Sequence, residues 1–545
     1  MAKSARFSPR SPVLEALEQE LAAADSYQQW LELAERHDRL SGAEDWRRED
    51  SSRLYDHENI RLRLQQLRRL RRKSDDRGLL FVLNEGIHGN MEGIGKAQLY
   101  QRAKCGTKKL IDDYIAEIND ALEHFAPRDF ESIPWVQRVE FFQRASHCYG
   151  RSALMLSGGG TLGFFHLGVL KALIEQGLCP AVISGASAGA FVAGILGTRT
   201  DEEFLEMFED NWIARALTDN RSDIKLGFGK RNTIDTRVIR TEMERLIPDM
   251  TFLEAYRKTG RSINISISPA SPRQTSRLLN HIASPNVTVL TAVLASAALP
   301  GVFSPVMLEA RNMDGEIKPY LPSHRWIDGS FSQDLPAKRL ARMYGVNHFI
   351  VSQVMPGLGR EPNTSPGFRR ITSDAMVAAT KAVVRGSLDW IQRRTKVSPR
   401  MGTTMNTVNA LIDQRFVGDI NIFPGYGLSN LDMILRVLNE DEMAHLIKAG
   451  ERAAWSRIPA IANTTRIGRT LDAILHDFEI DEAHWLRTSR RGHHEAAHAA
   501  GKGATRDVRK SGKAPAEQAR DVAEANDVAI AARGDTGSGV EAIRH

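Results

Sequence analysis

Between residues 153 and 196 an apolar run twice stops at a glycine-rich turn, and each turn leads into an apolar helical stretch. Ala153–Leu156 predicts a short buried strand, Gly158–Gly160 a turn, and the residues from there to about Glu175 a helix. Ala181–Ser184 predicts a second strand and Ala188–Leu196 a second helix. Strand, helix, strand, helix at this spacing calls for a parallel sheet covered by helices on both faces. Further strands are expected at Ile263–Ile267 and His348–Val354. A glycine turn that opens a helix bares backbone N–H groups at the positive end of the helix dipole, so something negative belongs there. That anion is either the pyrophosphate of a dinucleotide or an oxyanion that exists only during a reaction.

The spacing Gly158-x-Gly160-x-x-Gly163 satisfies a dinucleotide fingerprint. Such a site also needs an acidic residue about 20 positions on to hold the ribose. No Asp or Glu occurs between Gly177 and Thr200, so the dinucleotide reading loses its second contact. In the acid's place stands Gly185-Ala-Ser-Ala-Gly189, a G-x-S-x-G sequence between strand and helix. That is the context of a nucleophile elbow, where small neighbours let the chain turn sharply and leave the serine exposed. Ser187 is then the candidate nucleophile. Adjacent parallel strands would carry the N–H groups of Gly158, Gly159 and Gly160 to its side, as donors for a tetrahedral oxyanion.

A serine needs a base at neutral pH. His348, His445, His476 and His484 lie downstream, but none stands in a sequence that suggests a catalytic loop. Asp328 does: Trp326-Ile-Asp-Gly-Ser330 sets an acid before a glycine, after an apolar pair. Alone, Asp-Gly is a turn former. With the elbow and the glycine loop it becomes the candidate base.

The first 150 residues read as all-helical. Residues 11–40, 53–73 and 96–125 alternate apolar and charged positions at helical spacing, and 370–480 return mostly to that period. Ile60–Lys73 carries seven Arg/Lys and no acid; Ile60, Leu64 and Leu67 share a face on which Arg63 and Arg71 intrude. A helix lying on an anionic membrane and a solvated face packed on the second domain are both open readings. His166, on the helix after the glycine loop, reads first as a packed structural residue. Phe164, Phe165, Phe191 and Val192 line an acyl channel or, for most of them, pack the core. His124…Asp129 and His476…Asp481 match the short H-x4-D pattern of acyltransferases. The last 59 residues, from Arg487, hold eleven Lys/Arg and eight Asp/Glu, half of the net +6, and no aromatic residue. They are expected to be disordered, and the remaining +3 is weak evidence for nucleic acid. No run of 18 uncharged apolar residues predicts a spanning helix, and the N-terminus has no secretory pattern. Cys105, Cys148 and Cys179 have no metal or disulfide spacing, which fits a reducing, cytoplasmic setting.

Ser157-Gly-Gly-Gly-Thr-Leu-Gly163, Gly185-Ala-Ser-Ala-Gly189 and Asp328-Gly-Ser330, with Ala295-Ser-Ala-Ala-Leu-Pro-Gly-Val-Phe-Ser-Pro-Val306 between them, resemble the patatin-like phospholipase family. The resemblance implies a patatin-like three-layer α/β fold with a parallel-rich central sheet. It implies a Ser–Asp dyad of Ser187 and Asp328, separated here by 141 residues, with Gly158, Gly159 and Gly160 as the oxyanion loop. Gly163, Gly185, Gly189 and Gly329 complete the motifs, and no metal or organic cofactor is implied. Leu99-Tyr, Thr107-Lys-Lys-Leu-Ile, Thr251-Phe-Leu-Glu-Ala-Tyr256, Asn264-Ile-Ser-Ile267, Val351-Ser-Gln-Val354 and Gly418-Asp-Ile-Asn-Ile422 resemble the branch of fungal lipid-droplet triacylglycerol lipases. Many members carry Arg or Lys where this chain has Leu162. The expected organisation is a helical region over 1–150, a catalytic α/β domain over 151–355, a helical extension over 356–486 and a disordered tail over 487–545. The expected activity is hydrolysis of a triacylglycerol, phospholipid or lysophospholipid, in contact with a membrane or lipid surface and without nucleic acid. A lipid acyltransferase and a lipid-binding protein without activity are the alternatives.

Overall fold

The computed structural model describes residues 12–209, 213, 236–271, 274–299, 303–329, 335–354, 418–425 and 438–479. Seven helices precede the first strand: α1 (Pro12–Ala23), α2 (Tyr27–Ser41), α3 (Ala43–Arg48), α4 (His57–Arg72), α5 (Asp76–Gly86), α6 (Lys109–His124) and α7 (Trp135–Tyr149). Local signals set their starts. The side chains of Ser26, Asp56 and Asp75 accept the backbone N–H three residues on, capping α2, α4 and α5. Ile60, Leu64, Leu67 and Leu70 recur every three or four residues along α4 and are all buried, against α6. Burying each such side chain contributes about 1.5–3 kcal/mol. The basic residues of α4 do not face outward as a bare stripe. Arg68 and Arg71 pair with Asp113, Glu117 and Asp120 of α6, and Arg61 pairs with Asp50.

A seven-stranded sheet follows. Its strands are β1 (Arg151–Leu156), β2 (Val182–Gly185), β3 (Ser262–Pro269), β4 (Arg277–Leu279), β7 (Trp326–Asp328), β8 (Val346–Ser352) and β9 (Ile420–Ile422). β5 (Leu308–Arg311) and β6 (Ile317–Tyr320) form a separate hairpin. The order is β4-β3-β2-β1-β8-β9, with β3, β2, β1, β8 and β9 mutually parallel, β4 antiparallel to β3, and β7 also paired to β3. Ala153, Leu154, Met155 and Leu156 are all fully buried, as a parallel strand covered on both faces requires. Leu154 and Leu156 join one apolar core and Ala153 and Met155 the other, so three layers stand in register.

On the larger core's side lie α8 (Phe164–Glu175), α9 (Ala188–Gly197) and α13 (Val289–Ser296), and α15 (Glu440–Trp455) packs on α8. Between them in sequence come α10 (Asp201–Glu206), α11 (Thr236–Leu246) and α12 (Phe252–Thr259). On the other side α14 (Ala337–Tyr344) sets Leu340 against β8. α8 and α15 cross at facing glycines. A Cβ at Gly168 would collide with the carbonyl of Ile447, and one at Gly450 with that of Phe165. Another helical stretch begins at 458.

The predicted strands and helices around the two glycine turns are present, within two residues at each end except that a 3-10 turn over Gly160–Gly163 delays the start of α8 to Phe164. β4, β5, β6, β7 and β9 are additions to the expected set. All five have three or four residues, too short for a period of two to register. Cys105, Cys148 and Cys179 are free thiols. No helix among the described residues is long and apolar enough to cross a membrane. The predicted disordered tail over 487–545 and the helical periodicity over 370–417 lie outside the described residues.

Candidate active site

β2 ends at Gly185, Ala186 follows, and Ser187 caps the N-terminus of α9. Ser187 has φ 52° and ψ −118°. A non-glycine residue held there stores about 1–3 kcal/mol of strain, so its surroundings must fix it. Its N–H donates to Ser296 Oγ at 3.0 Å, and Ser296 Oγ donates to the Ser266 carbonyl of β3 at 2.7 Å. Ser296, the last residue of α13, is fully buried. The elbow is thus pinned to the neighbouring strand through one hydroxyl. The flanking glycines are steric requirements: a Cβ at Gly185 would collide with the Gly189 carbonyl, and one at Gly189 with the Leu156 carbonyl.

Leu156 pairs with Gly185, so the glycine loop and the elbow leave the sheet at the same level. They touch, since a Cβ at Gly163 would lie 2.7 Å from Cβ of Ala188. The loop is anchored at its root. Ser157 N–H donates to the Ser352 carbonyl at 3.1 Å, and Ser157 Oγ accepts from Val354 N–H at 3.2 Å and donates to the Gly158 carbonyl at 3.1 Å. His166 sits beneath, fully buried, with Nε2 donating to the Ser157 carbonyl at 3.0 Å and Nδ1 2.7 Å from Ser352 Oγ. Burial pushes the imidazole down to about 4, against the pull of the Ser157 carbonyl. His166 is therefore neutral at pH 7 with both nitrogens occupied, a brace for the loop as its packed position suggested.

Asp328 reaches the elbow by register. Ile267 of β3 pairs with Arg277 on β4 and with Asp328 on β7, so β4 and β7 occupy opposite edges of β3. β7 therefore shares β2's edge, continuing where β2 stops. β2 leaves β3 at Gly185 opposite Ile265, and β7 joins at Asp328 opposite Ile267. Two residues of strand separate those levels, about 7 Å. Asp328 is the residue of β7 nearest the end of β2, is 2% exposed, and its N–H donates to the Ala298 carbonyl at 3.1 Å, just past α13. Gly329 follows against β3, where a Cβ would collide with the Ser266 carbonyl.

The other sequence candidates fall elsewhere. His348 pairs in register with Ser152, at the opposite end of the sheet, and His445 is exposed on α15. His484 and Asp481 lie outside the described residues. His124 bonds Asp76 at 2.9 Å. Phe165 and Val192 are core residues, while Phe164 and Phe191 are half-buried against that core. Leu162 is fully buried, so no cation stands at that position of the loop. Ser296 and Ser352 were not singled out, although Ser296 and Thr291, the two hydroxyls in the otherwise apolar run Val289–Ala298, are a legible signal for a polar contact inside. Among the described residues no group of three or more His, Cys, Asp or Glu gathers to hold a metal ion.

Comparison with known proteins places these elements. A domain model described as patatin-like phospholipase matches residues 154–341, and one described as a domain of unknown function, DUF3336, matches 12–147. A patatin-like phospholipase domain-containing protein of Pyricularia oryzae (strain 70-15) is 30% identical over 497 residues, covering 84% of this chain and 62% of the relative. One of Aspergillus clavatus is 30% identical over 497 residues, covering 84% of this chain and 68% of the relative. The chain thus spans less than two thirds of the Pyricularia protein. The crystal structure of VipD from Legionella pneumophila aligns over 60% of this chain and 67% of its own, at 14% identity and a TM-score of 0.30, a level that says nothing of the site.

Proposed function

Since the chain belongs to the patatin-like phospholipase family, we propose that it hydrolyses lipid acyl esters with Ser187 as nucleophile and Asp328 as base. The observation that carries this reading is the shared edge of β3: one strand ends at the serine's turn, and the next begins at the aspartate. Asp328 takes the proton from Ser187 Oγ, and the oxygen attacks the acyl carbonyl carbon. The oxyanion forms at the N–H groups of Gly158, Gly159 and Gly160, preorganised by the Ser157–His166–Ser352 brace. Collapse breaks the ester C–O bond, and the proton on Asp328 passes to the leaving alkoxide. Asp328 then deprotonates a water that attacks the acyl-enzyme, and the fatty acid leaves as Ser187 recovers its proton.

The strained φ of Ser187 favours this reading, because a backbone outlier fixed by a buried hydroxyl is typical of sites where strain serves positioning. Leu162 supports a neutral acyl ester such as triacylglycerol over an anionic headgroup, since it supplies apolar bulk where a charge would sit. The half-buried Phe164 and Phe191, on the first turns of α8 and α9, are the proposed wall of the acyl path. A substrate packed in a lipid phase also demands that the site meet that surface peripherally.

The test is fatty-acid release from triacylglycerol, phospholipid and lysophospholipid by the wild type, Ser187→Ala and Asp328→Asn. Both variants are expected to melt near the wild type and to lose release by at least about a thousandfold. Undiminished release from either variant would sink the dyad. Lipid binding without release by the wild type would favour a lipid-binding protein instead.

A further inference from the structure

A cavity of about 290 Å³ opens at the opposite end of the sheet from the elbow. Its wall includes Ser152, four residues before Leu156 on β1, so about 13 Å of strand separates it from the glycine loop. Tyr100, Tyr114 and Tyr149 line it with five isoleucines, and the polar side chains include His88, Asn347, His348, Asp419 and Asn463. Two of the tyrosine hydroxyls are already engaged: Tyr114 donates to Met91 Sδ at 3.1 Å and Tyr149 to the Thr464 carbonyl at 2.9 Å. Tyr114 and Tyr149 therefore offer a ligand their rings, and Tyr100 adds a buried hydroxyl with no hydrogen-bond partner.

The charge balance of the wall is one-sided. Among the described residues lining it stands one carboxylate, Asp419, and no Lys or Arg. Asn463 is oriented from behind, its amide donating at 2.7 Å to Oδ1 of Asp112, which is itself paired with Arg47 at 3.2 Å. Arg63 is not part of the wall but reaches its edge, donating to the Glu85 carbonyl at 3.4 Å and bonding the Tyr114 hydroxyl. His348 Nδ1 lies 3.0 Å from Ser152 Oγ, while its Nε2 is buried with no hydrogen-bond partner. An orphaned buried nitrogen of this kind costs free energy until something bonds it. Burial holds the ring below its ordinary pKa, against the pull of Asp419, and a neutral ring can present Nε2 as an acceptor. Asp419 is oriented by Phe349 N–H, which donates to its Oδ2 at 2.8 Å.

We propose that this cavity binds a small organic cation, a protonated amine whose N–H groups bond His348 Nε2 and Asp419 and whose apolar body packs on the tyrosine rings. Aromatic faces attract such cations electrostatically. A fatty acid or phosphate would meet a carboxylate and no cation in the wall itself. Three probes of one shape separate the possibilities: benzylamine, benzyl alcohol and benzoate, titrated calorimetrically into the full chain. Benzylamine is expected to bind at least tenfold more tightly than the other two. Asp419→Asn should remove at least tenfold of that affinity, and Tyr100→Leu several-fold, with fatty-acid release unchanged in both. The second variant keeps the test open should the first fail to fold. Benzoate or the alcohol binding as well as the amine, no detectable amine binding, or amine affinity unchanged by both substitutions would overturn the proposal.

Discussion

In the helical region, side chain meets side chain. α4 lays Leu64 and Leu67 against α6, and Arg68 and Arg71 reach across to Asp113, Glu117 and Asp120. Around the elbow, backbone meets backbone. Gly189 lies on the carbonyl of Leu156, Gly185 on that of Gly189, and Gly329 on that of Ser266. A side-chain interface can repack around a change, because rotamers adjust. A backbone interface has no atoms to move except those that place Ser187. The first region should therefore lose stability in small steps, and the second should fail abruptly.

The largest effect expected is at Gly189. Alanine there meets a strand carbonyl it cannot displace, so Gly189→Ala should fail to fold or lose more than about 4 kcal/mol in urea unfolding. A mild loss would mean that the elbow can relax and the contrast is false. Next comes acid. His166 titrates at about 4 when folded and near 6.5 when unfolded, so between those values the unfolded chain binds the extra proton. Stability should be full above pH 6.5 and fall by up to about 3 kcal/mol as pH drops toward 4. Unfolding at pH 7, 5.5 and 4.5 checks this against His166→Gln, which should show a shallower slope; equal slopes would remove His166 as the brace. Ser296→Ala should cost about 1–3 kcal/mol by stranding the N–H of Ser187. It should also lower fatty-acid release, a readout that a purely structural serine would not move beyond the loss of fold. The smallest effect belongs to the helices: Arg68→Ala, on a half-exposed pair, should cost under about 1 kcal/mol by thermal unfolding. A loss as large as that of Gly189→Ala would erase the distinction.

Much of the sheet was legible because its central strands carry short apolar runs that stop at a serine and a glycine, as Ala153–Leu156 and Val182–Gly185 do. β7 was not, since Trp326-Ile-Asp-Gly reads locally as a turn and becomes a strand only by pairing with Ile267–Pro269, far off in sequence. The same pairing sets Asp328 on the edge of β3 two residues beyond the end of β2, a position no local pattern carries, while its residue type was plain. His166 was readable as a packed residue, but its two partners come from the loop root and from Ser352, which no local pattern connects. The arginines of α4 left two readings open because their acidic partners lie some 45 residues on.

The reciprocal glycines of α8 and α15 bear on where this chain can be cut. The matched family segment stops at residue 341, before α15 begins at Glu440. A gene shortened to that segment would still encode the serine, the aspartate and the glycine loop. It would encode α8 with a bare notch at Gly168, shaped for the backbone of a helix that is no longer made. The boundary visible to inheritance therefore falls short of the packed unit, which runs on past α15 to Ile474.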